Sequence, residues 1–148
     1  MALAPQQTRT FFTTSATWDR RPILQSHPLC DLLLEVIREN RAKQNFQIHE
    51  FVFMPDHVHL ILTPAPLVPL EKAMQFVKGG FSHRAKKEQL FQGEIWQPGY
   101  HDHRIQDAND YANHVEYITR RGRVHLDGNK LIHTARIRSA GPIRVPQP

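Results

Sequence analysis

The chain has 148 residues, which is room for one domain with a proper core and too few for two. Its hydrophobic share of 40% and charged share of 22% are those of a globular protein, and no apolar run approaches the roughly 18 residues of a membrane span. A net charge of +5, with ten histidines in reserve, points to a polyanionic partner such as nucleic acid.

The opening "MALAPQQTRTFF" lacks a basic stretch followed by an apolar one, so secretion is not signalled and a cytoplasmic location is expected. A single cysteine, Cys30, excludes an internal disulfide and a cysteine-clustered zinc site. "RTFFTTSATW", Arg9 to Trp18, is rich in β-branched and aromatic residues and reads as a first strand. Leu29, Leu32, Leu33, Val36 and Ile37 then recur with helical spacing, with Ser26 or His27 as cap and Pro28 in the first turn. "NFQIHEFVFM" and "HVHLILT" read as two strands joined by a hairpin at Met54-Pro55-Asp56.

A second helix follows, with Leu70, Met74, Val77 and Phe81 on its apolar stripe and a bend or break expected at Gly79-Gly80. "EIWQPGYHDHRIQ" holds a fourth strand. "DANDYANHVEYITRR" is a third helix capped by Asp107 or Asp110, with Tyr111, Val115 and Ile118 on its apolar stripe. From Gly122 the pattern dissolves into a basic stretch with five Lys/Arg against one Asp, expected to be a poorly ordered tail. The expected organisation is one folded domain over residues 1–121 and a tail over 122–148. The order β-α-β-β-α-β-α predicts an α+β, ferredoxin-like βαββαβ antiparallel sheet ordered 4-1-3-2, plus one C-terminal helix.

Four features could carry chemistry. His57 and His59 alternate with Val58, Leu60 and Leu62, so both imidazoles lie on one face of a strand opposite an apolar comb. That pattern suits a metal site, although two ligands need a third from elsewhere. His101 and His103 repeat the spacing, with Asp102 between them in place of an apolar residue. They rank second and lie too far across the predicted sheet to share an ion with the first pair. The second helix offers Lys78, Arg84, Lys86 and Lys87 beside Gly79 and Gly80, which reads either as a solvated basic face or as a phosphate-contacting surface. On the third helix, at about 100° per residue, Tyr111 falls in the apolar stripe and Tyr117 roughly 120° away from it.

Taken together, "FVFMPDHVHLIL", "MQFVKGGFSHRAKKE", "IWQPGYHDHRI" and "DYANHVEYI" resemble, in that order, the REP-associated tyrosine transposases of bacteria. These belong to the single-tyrosine group of His-hydrophobic-His nucleases, and the resemblance runs from about Arg9 to Ile118. It implies a cytoplasmic, nucleoid-associated bacterial enzyme, monomeric or dimeric, acting on single-stranded or hairpin DNA. It further implies that His57 and His59 bind a divalent ion, Mg²⁺ or Mn²⁺, and that Tyr117 is the nucleophile forming a 5′-phosphotyrosine link. Lys78, Gly79, Gly80, Arg84, Lys86 and Lys87 would contact the DNA. The chain departs from the pattern at Arg121, where the family carries an Asn or Gln metal ligand. A guanidinium cannot ligate a cation, and Asn113, one turn before Tyr117, is the candidate substitute. Two rival readings are a DNA-binding protein that has lost catalysis, and an RNA binder stacking bases on Phe11, Phe12, Phe51 and Phe53.

Overall fold

The computed structural model describes residues 9–124 of the chain. Its elements run β1 (Phe11–Ala16), α1 (His27–Ala42), β2 (Phe46–Met54), β3 (His57–Pro64), α2 (Leu70–Gln89), β4 (His101–Arg104) and α3 (Ala108–Val124). The four strands form one sheet in the order β2-β3-β1-β4 with every neighbouring pair antiparallel, as the predicted topology requires.

Local chemistry sets the element ends. The Ser26 hydroxyl accepts from the Leu29 N–H at 3.3 Å and Pro28 occupies the first turn, so α1 starts where its cap and its pre-set φ agree. Asp107 Oδ1 accepts from the Asp110 N–H at 2.8 Å and caps α3. Pro55 and Asp56 alone join β2 to β3, which fixes the hairpin register and pairs Met54 with His57.

β2 does not alternate strictly, and the sheet accommodates this with a bulge between Ile48 and Glu50. The extra residue changes the parity of the strand. Phe46 and Ile48 before the bulge, and Phe51 and Phe53 after it, therefore all reach the same core. That core lies between the sheet and helices α1 and α2, where Leu33, Ile37, Leu60, Leu62, Met74 and Phe81 are fully buried.

α2 runs unbroken through Gly79-Gly80, contrary to the expected bend. Gly80 instead permits close helix packing, since a Cβ there would stand 3.2 Å from Val36 Cγ1 of α1. α3 covers the other sheet face and packs Ile118 against Val52, Met54 and Ile61, with Phe12, Tyr111 and Val115 beside them. α3 continues to Val124, past the expected boundary at residue 121. The remainder of the expected tail, 125–148, lies outside the described residues. Among the described residues no helix is long and apolar enough to cross a membrane.

Burial also removes a base-stacking platform. Phe11, Phe51 and Phe53 are buried, and Phe12 is packed beneath α3. The RNA-binding reading loses its aromatics for a simple reason: these phenyl rings are worth more to the core than to solvent.

Candidate active site

The face of the sheet under α3 gathers the chemistry. His57 pairs across β1 with Ala16, and His59 with Thr14. Strand alternation then puts both imidazoles on the α3 side, while Val58, Leu60 and Leu62 enter the α1–α2 core. The two rings meet edge to face with centroids 4.8 Å apart.

Each ring is held through the same nitrogen. His57 Nδ1 lies 2.8 Å from Asp56 Oδ1, and Asp56 Oδ2 accepts from Arg20 Nε at 3.2 Å. His59 Nδ1 lies 2.9 Å from the Thr14 hydroxyl. With Nδ1 engaged on both rings, Nε2 is the nitrogen left open on each, an arrangement like that of carboxylate-oriented and hydroxyl-oriented histidines in metal sites. His59 Nε2 is buried and has no hydrogen-bond partner among the described residues. Burial opposes ionisation of Asp56, but His57 and Arg20 outweigh it and hold the carboxyl below its usual range. Burial, with smaller contributions from the charges of His57 and Arg121, pushes the His59 imidazole down to about 3, so it stays neutral and able to donate a lone pair.

Tyr117 reaches this pair. Its ring meets His59 edge to face at 5.3 Å, while 37% of the residue remains exposed. The off-stripe position on α3 thus leads to the site rather than to empty surface. Tyr111, on the stripe, joins the apolar cluster as expected. Arg121, one turn on, donates a hydrogen bond to the Tyr117 hydroxyl and lays its guanidinium 4.4 Å from the ring centre.

Sequence reasoning missed the groups that support these three. Phe12 is the centre of the site, with ring centroids 5.1 Å from His59, 5.8 Å from Tyr117 and 4.7 Å from His114. Thr14 and Asp56 were missed as well. Asp56 had a local signal, since an acid directly before the first histidine can reach its ring. Thr14 and Phe12 had none, because their partners are 45 residues or more along the chain and only strand pairing joins them. The second histidine pair also changes meaning. His103 faces Asp110 and His114 of α3 rather than pairing with His101, and Phe12 stands between it and His59.

The six expected DNA contacts lie elsewhere. α2 packs on the sheet face opposite His57 and His59, so the fold does not bring these residues to the histidine pair. Lys78 Nζ donates to the backbone oxygens of Gln97 and Gly99, and burial lowers its pKa. Arg84 is held by Glu35, Glu39 and Glu88. Gly79 is exposed and Gly80 lies against α1. Lys86 and Lys87 are exposed in the last turns of α2.

A family model described as "Transposase IS200 like" matches residues 12–121, most of the chain. The chain belongs to the IS200-like transposase family. Among individual relatives, the REP-associated tyrosine transposase of Escherichia coli K12 is 28% identical over 109 residues, covering 73% of this chain and 62% of the relative. The ISDra2 transposase TnpA of Deinococcus radiodurans is 30% identical over 78 residues, covering 49% of this chain and 56% of the relative. The chain thus spans less than two thirds of the length of either relative.

Two solved structures share the fold of this IS200-like chain. A REP-associated tyrosine transposase bound to a REP hairpin superposes with a TM-score of 0.68 and 24% identity, over 100% of this chain and 93% of the other. A Deinococcus radiodurans protein described as a transposase gives a TM-score of 0.56 and 22% identity, over 75% of this chain and 88% of the other. The motif resemblance to REP-associated tyrosine transposases and the α+β architecture both hold.

Proposed function

We propose that this protein is a transposase-type, metal-dependent endonuclease and strand transferase for single-stranded DNA, with Tyr117 as nucleophile. The observation that carries this reading is the 5.3 Å contact between the Tyr117 and His59 rings, made by a tyrosine that is still open to solvent. DNA folded into a hairpin is the proposed partner, supported by the REP hairpin on the structurally similar transposase.

His57 and His59 would hold the divalent ion. The donor set fits one: Nδ1 is anchored on both rings, and the buried His59 Nε2 lacks a partner. Leaving such a nitrogen unsatisfied costs about 1–3 kcal/mol, which a bound cation would remove. Two imidazoles match Mn²⁺ better than Mg²⁺, which prefers oxygen ligands. When bound, the ion would supply charge neutralisation at the scissile phosphate.

The chain's own residues account for the rest. The Tyr117 hydroxyl gives up its proton as its oxygen attacks phosphorus, the bond to the 3′ oxygen breaks, and that oxygen takes up one proton and leaves as a hydroxyl, so one proton is lost and one gained. The covalent 5′-phosphotyrosine conserves the bond energy, so the 3′-hydroxyl of another strand end can reverse the step. Arg121 cannot ligate a cation, but its hydrogen bond places fixed positive charge at the oxygen where negative charge must develop. Phe12 packs against the rings of both Tyr117 and His59 and limits their relative movement. Of the six basic-helix candidates, exposed Lys86 and Lys87 keep the phosphate-contact role, while Lys78 and Arg84 are committed to the fold.

Incubation with hairpin-bearing single-stranded DNA and Mn²⁺ is expected to give a covalent protein–DNA band on a denaturing gel, and Tyr117→Phe none. Absence of the band in wild type, or an equal band in the variant, refutes the proposal. A second reading, a DNA-binding protein retaining the fold without cleavage, is favoured by one observation: Arg121 occupies the tyrosine oxygen where the family carries a metal ligand. Arg121→Asn separates the two. Gain of cleavage from an inactive wild type supports the second reading, and loss of cleavage from an active one supports the charge role given above.

A further inference from the structure

The described residues hold one more cluster of metal-ligating groups, beside the tyrosine site and not part of it. His103 comes from the edge strand β4, and Asp110 and His114 lie one turn apart on α3. One donor atom from each residue lies within 4.8 Å of the other two. Asp110 already joins the histidines, with Oδ2 at 2.9 Å from His103 Nε2 and Oδ1 at 3.1 Å from His114 Nδ1. The two imidazoles stack with centroids 4.8 Å apart and planes 23° from parallel. From behind, the Gln106 N–H donates to Asp110 Oδ2 at 2.8 Å and fixes the carboxylate, as a supporting group does in built metal sites.

The geometry points to a second divalent-metal site made by His103, Asp110 and His114, which clamps α3 to β4 and so steadies Tyr117 beside His59. An ion bonded at about 2.0–2.2 Å to three tetrahedral donors holds them about 3.3–3.6 Å apart. The present spread closes to that value by an adjustment of about an ångström, within reach of side-chain rotation. Two imidazoles with one carboxylate suit Zn²⁺, Co²⁺ or Mn²⁺ and leave a position open to water.

This site is distinct from the His57–His59 pair because the Phe12 ring stands between them, 5.1 Å from His59 and 4.7 Å from His114. A hydrocarbon ring in that place prevents the two sets from sharing one ion. The clamp acts on the nucleophile through a short path. His114 precedes Tyr117 by three residues on α3, and both rings pack on Phe12. Without an ion, β4 and α3 are tied here by the partly exposed His103–Asp110 contact, while the His114–Asp110 contact stays within α3, and such contacts are individually weak. Three coordinate bonds would replace them. The inference stands whether or not His57 and His59 hold an ion.

Titration of the metal-free 148-residue chain with Co²⁺, followed by visible d–d absorption and calorimetric stoichiometry, tests it. Wild type is expected to bind two ions. A His57→Ala/His59→Ala variant should keep one, with its visible bands, and adding His103→Gln should remove it. Co²⁺ should also raise the melting temperature of the double variant and slow amide exchange in α3, both effects vanishing with His103→Gln. A folded double variant that binds no Co²⁺ at about 0.1 mM or below overturns the proposal. Should that variant fail to fold, His103→Gln in the otherwise wild-type chain decides: stoichiometry falling by one ion sustains the second site, and unchanged stoichiometry ends it.

Discussion

The two faces of the sheet are built from the same four strands and do opposite things. Toward α1 and α2, alternate residues are Phe51, Phe53, Val58, Leu60 and Leu62, and the interface is hydrocarbon apart from the buried Thr13 and Ser15 hydroxyls of β1. Toward α3 the intervening positions carry Thr14, His57 and His59 around a small apolar cluster of Val52, Met54, Ile61 and Ile118. One face supplies most of the burial that holds the sheet, which frees the other to keep polar groups half-satisfied and available. A domain this small can afford an open nitrogen on His59 only because the opposite side is closed.

That contrast predicts a separation of effects, and the largest should come from the closed side. Phe81 is fully buried between α2 and the sheet, so Phe81→Ala should cost about 3–5 kcal/mol, read from urea melts. Tyr117→Phe, on the open side, removes only an exposed hydroxyl and should stay within about 0.5 kcal/mol of wild type while abolishing the DNA adduct. A Tyr117→Phe chain that melts as easily as Phe81→Ala would mean that the tyrosine is part of the core and that the two faces are not divided by task.

Acid should act on the open side through its buried histidines. Burial pushes the His49 imidazole down to about 4, and His59 lies lower still, at about 3. Unfolded histidine titrates near 6.5, so the folded values are depressed and the unfolded chain takes up the protons first. Stability from these groups is therefore complete above about pH 6.5 and falls as pH drops toward the folded values, by about 1.4 kcal/mol per pH unit for each group. Urea midpoints measured from pH 7.5 down to about 4.5 should fall with that slope in the metal-free protein. His49→Gln should flatten the curve by one group, and Phe81→Ala should shift it without changing its shape. A profile unaltered by His49→Gln would show that the bulged histidine is not the titrating group.

The closed face was legible in the sequence and the open face only in part. Leu29, Leu32, Leu33, Val36 and Ile37 announce α1 by periodicity, and the comb of Val58, Leu60 and Leu62 identifies the buried side of β3, because local spacing alone fixes which way those side chains turn. Tyr117 and the histidine pair were legible for the same reason, one lying off its stripe and the other on the polar side of a strand. Phe12, Thr14 and the His103–Asp110–His114 group were not. Thr14 meets His59 only through the pairing of β1 with β3, and the other groups depend on where α3 crosses the sheet, a placement set by packing of Ile118 on β2 and β3 and not written in any local pattern. The i,i+4 spacing of Asp110 and His114 was the available hint, but nothing near them in sequence points to β4.

Gly79-Gly80 shows how a local rule fails when tertiary packing overrides it. A glycine pair inside a helix normally weakens it, by about 0.8–1.0 kcal/mol per residue relative to alanine, yet α2 passes through without interruption. The two glycines differ in what lies opposite them. A Cβ on Gly79 would meet only Gln75 Cγ at 3.9 Å, an ordinary contact, so Gly79→Ala should stabilise the protein by about 0.5–1 kcal/mol. A Cβ on Gly80 would press on Val36 Cγ1 at 3.2 Å, and Val36 is itself buried. Gly80→Ala should therefore fall short of Gly79→Ala by about 1 kcal/mol. In a double-mutant cycle, Val36→Ala should recover that difference, because the Cγ1 methyl in the way is one of the two it removes. Equal stabilisation at both positions would mean that α1 and α2 pack more loosely than the 3.2 Å approach requires. The same pair of variants bears on DNA as well: if Gly79→Ala raises stability but weakens binding of hairpin DNA, the exposed glycine is kept for close approach of a phosphate, and if binding is unchanged, α2 serves the closed face alone.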